Sequence, residues 1–151
     1  MIAFGLGTGF SPVAPGTVAS AVAALAHHWI LAPLPIWLQA SAVTLAFGLG
    51  TWAACRIERR SDQHDDRAIV CDEIVGVWLA LTACGESWIG TVVGFALFRL
   101  FDIWKPWPIS WLDRRVPGGL GVMVDDVAAG AAAAAAAWAT LAFMALQTSS
   151  T

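Results

Sequence analysis

The chain has 151 residues, 58% of them hydrophobic and 13% charged, with a mean hydropathy of +0.70 and a net charge of −3. A water-soluble domain carries about 25% charged residues, so this composition excludes an ordinary soluble globule. The length allows one membrane-embedded domain over 1–151.

The charges are confined. All eight Lys and Arg lie between Arg56 and Arg115, and no Asp, Glu, Lys or Arg occurs before residue 56 or after Asp126. The three cysteines, Cys55, Cys71 and Cys84, form no C-x-x-C pair and imply no disulfide framework. No nucleic-acid partner is expected.

The first segment, 5–17, reads GLGTGFSPVAPGT. Its glycines free the backbone to turn and expose N–H groups, and the helix that follows offers its positive N-terminus to an anion. Gly7, Thr8, Ser11, Gly16 and Thr17 are therefore candidate substrate contacts. The segment is not a P-loop, because no Gly-Lys-Ser/Thr follows. The bland alternative is a plain loop with Thr17 as helix cap.

Apolar blocks follow over about 18–31 and 35–55. Next comes HDDRAIVCDEIVG at 64–76, which places Asp72 and Glu73 about one turn inside a helix that heads into membrane-depth sequence. Acids in a first turn favour the helix dipole. That accounts for Asp65 and Asp66 but less well for Asp72 and Glu73. A third apolar block, 69–97, is interrupted by Cys84-Gly85-Glu86-Ser87 and so predicts two helices, 69–84 and 88–101. Gly90 and Gly94 form a G-x-x-x-G on the second of these, a candidate helix contact face.

The stretch 99–126, RLFDIWKPWPISWLDRRVPGGLGVMVDD, is the most informative. Asp102, Asp113, Asp125 and Asp126 stand there with Arg99, Lys105, Arg114 and Arg115 between nearly pure apolar segments. An aspartate at bilayer depth costs about 2.5–3.5 kcal/mol, so so many acids need a purpose. Carboxylates with nearby cations suit a divalent metal and an anionic oxygen ligand such as phosphate. Arg99 and Asp102, three apart, share a helix face. KPWP halts the helix, Gly118, Gly119 and Gly121 read as a flexible turn, and Asp125 and Asp126 open a last helix over about 124–146. Its run AAGAAAAAAAWA lets backbones approach closely and marks it as a packing helix.

These elements amount to an all-α polytopic membrane bundle of about five helices. A membrane helix takes about 20 residues, with a range of ~17–25; the second and fifth fit, and the first is short. With five crossings, 1–17, 56–68 and 102–123 share one face, while 32–35 and 85–87 lie on the other. Every Lys and Arg then falls on or near the first face, which the positive-inside rule makes cytoplasmic. Trp29, Trp37 and Trp88 mark the far interface and Trp52, Trp104, Trp107 and Trp111 the near one. Trp78 and Trp138 fall mid-helix and read as packing residues.

Three stretches, GLGTGFSPVAPGT at 5–17, HDDRAIVCDEIVGVW at 64–78 and FRLFDIWKPWPISWLDRRVPGGLGVMVDDVAAG at 98–130, resemble the phosphatidylglycerophosphatase A family of bacterial lipid phosphatases, in the family's order. The third is long and specific. The resemblance implies Mg²⁺-dependent hydrolysis of the terminal phosphate of phosphatidylglycerophosphate to phosphatidylglycerol. It also implies a phospholipid substrate in the inner leaflet of a bacterial cytoplasmic membrane.

On this reading Asp72, Glu73, Asp102, Asp125 and Asp126 form the pool of Mg²⁺ ligands, and Arg99 and Lys105 bind the phosphate dianion. Asp72, Glu73, Arg99, Asp102, Lys105 and Asp126 are the candidate catalytic residues. His64 and Asp65 join the 5–17 loop as candidate substrate contacts. The nucleophile is a metal-activated water or an aspartate that becomes phosphorylated. Two other classes remain as alternatives. A small channel or transporter would spread ionisable groups along its helices to the midplane. A non-catalytic membrane assembly protein would explain the small-residue helix but not the carboxylates.

Overall fold

The computed structural model describes residues 15–58, 71–116 and 118–148. All regular structure among them is helical: α1 (Pro15–Ala26), α2 (Ile36–Glu58), α3 (Cys71–Leu81), α4 (Trp88–Trp104), α5 (Ile109–Arg115) and α6 (Gly118–Thr148). α1 runs on into a π-helical turn, His27–Leu31, closed by the Ala32 N–H to the His27 carbonyl at 2.8 Å.

Among the described residues six α-helices stand where the sequence predicts about five. The additional one is the short α5, folded just after Pro106 and Pro108 stop α4 from continuing. α6 begins at Gly118, so Gly118, Gly119 and Gly121 are helical rather than a flexible turn. A Cβ on Gly121 would collide with the Val116 carbonyl. The chain therefore reverses from α5 into α6 over a bare backbone. Asp125 and Asp126 consequently lie about two turns inside α6 instead of opening it.

The helices alternate in direction. α1, α3 and α6 start at one end of the bundle, and α2 and α4 return to it. Gly76 of α3 faces Gly130 of α6, and a Cβ on either would strike the other helix's backbone. Ala129, Ala133 and Ala137 carry the same buried stripe along α6. α6 thus packs against α2, α3, α4 and α5, as its small residues predict. Gly90 and Gly94 are spent inside the bundle: the space their Cβ atoms would need is taken by Cys84 and Leu81.

The outer surface is apolar. Leu45, Trp52, Val92, Ile103, Phe143 and Leu146 are all exposed. Among the described residues two helices are long and apolar enough to cross a membrane, Ile36–Arg56 and Met123–Thr148, and Gly16–Leu31 is a shorter apolar helix. Only 22% of each crossing window is buried against protein, whereas the core helix of a soluble protein is mostly buried. Such a surface belongs in a membrane. Trp78 packs as expected, its indole N–H donating to the Ala23 carbonyl at 3.1 Å. Trp138 does not. It is 66% exposed because it lies off the Ala133–Ala137 stripe, on the outer face of α6.

The end away from the acids has its own polar cluster. His28 Nδ1 and Thr91 Oγ1 share a hydrogen bond of 2.9 Å, and the His28 ring lies 3.8 Å from the Trp88 ring. These contacts tie the π-helical turn after α1 to the start of α4.

Candidate active site

α1 begins, α3 begins, α4 ends and α6 passes through its second turn at the same end of the bundle. Asp72 and Glu73 therefore come from the first turn of α3, Arg99 and Asp102 from the last turns of α4, and Asp125 and Asp126 from α6. Lys105 caps α4 in the left-handed region, φ 42°, with its N–H bonded to the Phe101 carbonyl at 2.8 Å. A non-glycine residue there carries about 1–3 kcal/mol of strain. That turn directs the lysine back onto α6, where Nζ pairs with Asp125 Oδ2.

Arg99 is the hub. Its Nη1 donates to Asp102 Oδ2 at 2.7 Å, to Ser20 Oγ at 3.4 Å and to Glu73 Oε1 at 3.5 Å, and Nη2 donates to Thr17 Oγ1 at 3.3 Å. One guanidinium thus joins three helices. Of its five N–H donors, these contacts among the described residues leave Nε–H and one Nη2–H.

The carboxylates form a connected chain of close charges. Asp72 neighbours Glu73 and Asp125; Asp126 neighbours Asp72, Asp102 and Asp125; and Glu73 neighbours Asp102 and Arg99. Like charges gathered this closely are eased by a proton or a cation between them. Asp125 and Asp126 are 5% and 4% exposed, so their charges are withdrawn from water. Asp72 Oδ1 accepts the Glu73 N–H at 3.0 Å, which turns this carboxylate back along its own helix. Glu73 Oε2 is buried with no hydrogen-bond partner among the described residues. No set of three His, Cys, Asp or Glu side chains among them already forms a metal cage.

Of the residues singled out from sequence, Gly16, Thr17, Asp72, Glu73, Arg99, Asp102, Lys105, Asp125 and Asp126 are brought to this one end. Gly7, Thr8, Ser11, His64 and Asp65 lie outside the described residues. Gly16 has a steric role: a Cβ there would collide with the Glu73 carboxylate, so its absence lets α1 lie against the acid. Sequence reasoning missed Ser20, which is completely buried and accepts from Arg99. The available signal was its spacing of three from Thr17, which puts both hydroxyls on one face of α1.

The family model for phosphatidylglycerophosphatase A matches residues 1–141. The chain is 40% identical over 131 residues to phosphatidylglycerophosphatase A of Escherichia coli K12, covering 86% of this chain and 76% of that protein. It is 37% identical over 130 residues to the Haemophilus influenzae protein of the same name, covering 85% and 80%. It is 40% identical over 137 residues to a putative phosphatidylinositol-3-phosphatase of Bacteroides thetaiotaomicron, covering 86% and 85%. No solved structure matches the chain. An all-helical apolar scaffold with acids and cations gathered at one end, and these relatives, define a membrane phosphomonoester hydrolase. The chain belongs to the phosphatidylglycerophosphatase A family.

Proposed function

We propose that the chain hydrolyses the terminal phosphomonoester of phosphatidylglycerophosphate, releasing inorganic phosphate and phosphatidylglycerol. The observation that carries this reading is the gathering of five carboxylates and two cations at one end of an apolar bundle, in a member of this family. The terminal phosphomonoester, a dianion with three free oxygens, is the part of such a lipid best suited to both kinds of group. Its oxygens match the remaining Nε–Nη2 edge of Arg99, which can bind two of them in parallel. Lys105 adds a point charge.

Five carboxylates facing two cations leave a surplus of negative charge. The buried Oε2 of Glu73, without a hydrogen-bond partner among the described residues, is an oxygen donor of the kind Mg²⁺ takes. Asp72, Glu73, Asp102, Asp125 and Asp126 would hold the ion. Mg²⁺ usually takes one or two carboxylates and completes its shell with waters and substrate phosphate, so a ready-made three-residue cage is not required. When bound, it would offset the acids and polarise the phosphate. The protein's own part is then to hold the phosphate on Arg99 and Lys105, to accept a proton on a carboxylate free of the ion, and to stabilise the charge of transfer. An aspartate that is transiently phosphorylated remains the alternative nucleophile.

The membrane reading is a multi-pass protein of the bacterial cytoplasmic membrane with about five crossings and its site on the cytoplasmic side. The alternating helix directions support it. So does the position of Arg56, Arg99, Lys105, Arg114 and Arg115 at the site end.

The headgroup is tested by phosphate release in mixed micelles containing phosphatidylglycerophosphate or phosphatidylinositol 3-phosphate. The second lipid is suggested by the Bacteroides relative's name. Faster release from phosphatidylglycerophosphate is expected. Release from the inositol lipid alone would overturn the substrate, and release from neither would overturn the reaction.

A further inference from the structure

We infer that Ser20 is a positioning residue for Arg99, setting the angle at which the guanidinium meets the substrate phosphate. This rests on the phosphatase reading above and extends it to a residue outside the acid–cation set.

α1 is otherwise a plain apolar helix, PGTVASAVAALA, and Ser20 is completely buried in it. A hydroxyl withdrawn from water is costly unless bonded. The usual remedy in an apolar helix is a bond back to the carbonyl four residues earlier. Other hydroxyls here take it: Ser41 donates to the Trp37 carbonyl at 2.7 Å, Thr44 to Ala40 at 2.8 Å and Thr140 to Ala136 at 2.8 Å. Ser20 instead points across to α4, where its Oγ accepts from Arg99 Nη1 at 3.4 Å.

The geometry explains why a neutral group is useful there. Asp102 grips Nη1 at 2.7 Å from the same helix, and Glu73 approaches the same nitrogen at 3.5 Å. Two acids alone would fix one nitrogen but leave the plane of the fork free to swing about it. Ser20 on Nη1 and Thr17 on Nη2 hold that plane from a third helix. They do so without adding charge, so the guanidinium's positive charge remains for the phosphate. Gly16, one turn before Ser20, lets α1 come close enough to Glu73 for this contact.

The test is Ser20→Ala in the full-length protein purified in detergent and assayed for phosphate release from phosphatidylglycerophosphate. The substitution removes one oxygen from a buried site and is expected to leave the melting temperature at or above that of the wild type. kcat is expected to fall roughly tenfold with KM changed less than about twofold, since a misaligned clamp loses transition-state binding first. Ser20→Cys, which keeps a weak hydrogen-bonding group, is expected to recover part of the loss. In an Arg99→Lys background, Ser20→Ala is expected to cost less than about twofold more, because it acts through the guanidinium. Wild-type kcat in Ser20→Ala, or losses that multiply fully in the double variant, would overturn the inference. An inactive wild-type protein would instead overturn the phosphatase reading itself.

Discussion

Gly130 of α6 lies so close to Gly76 of α3 that a Cβ on Gly130 would strike the Gly76 carbonyl. This backbone-to-backbone approach is what places Asp126, one turn before Gly130, beside Asp72, one turn before Gly76. A crossing made for packing also sets the register of the acids.

Gly130→Val should therefore loosen both. The branched side chain has no room, and overpacking of a fitted core costs typically about 1–3 kcal/mol. A lower melting temperature in detergent and loss of activity are expected together. Ala131→Val, on the exposed side of the same helix, should change neither.

Arg99→Lys keeps the charge but loses the planar fork. If Arg99 only let α4 end at membrane depth by pairing with Asp102, activity should survive. As a phosphate clamp it should lose about 10²-fold or more in kcat/KM, roughly 2.7 kcal/mol of transition-state stabilisation, with folding intact. Near-normal turnover in the lysine variant would return Arg99 to a structural role.

Glu73→Gln tests the metal proposal. The amide keeps the shape of the side chain but weakens it as an Mg²⁺ ligand. The Mg²⁺ concentration giving half-maximal activity should rise by about 10- to 100-fold, as read from a metal titration of phosphate release. An unchanged Mg²⁺ requirement would remove Glu73 from the ligand pool.

Ser87, in the turn between α3 and α4, lies at the opposite end of the bundle from the acids. A cysteine placed there should react with an impermeant thiol reagent from the outer side of inner-membrane vesicles of known orientation, and not from the cytoplasmic side. Cytoplasmic labelling would contradict the five-crossing topology.

Much of this was legible in the sequence because charge is sparse. Acids occur only between residues 58 and 126 of an apolar chain, and each is costly there, so Asp72, Glu73, Asp102, Asp125 and Asp126 stand out as candidates; the fold gathers those five at one end. Helix ends were harder. Gly118 to Gly121 read as a turn because glycine is a poor helix former, but here its missing side chain serves the tight return from Val116. α5 was hidden because prolines that stop one helix also favour the start of the next. Ser20 was invisible for another reason. A lone serine in an apolar helix usually bonds its own backbone, and only the packing of α1 against α4 gives it a partner 79 residues away.

The most direct measurement is phosphate release from phosphatidylglycerophosphate by the purified protein in detergent, with Mg²⁺ and after EDTA. One phosphate released per lipid, with phosphatidylglycerol as the other product, abolished by EDTA and restored by Mg²⁺, is the expected result. No release under any condition would contradict the hydrolase reading. Release indifferent to EDTA would contradict the role given to the five carboxylates.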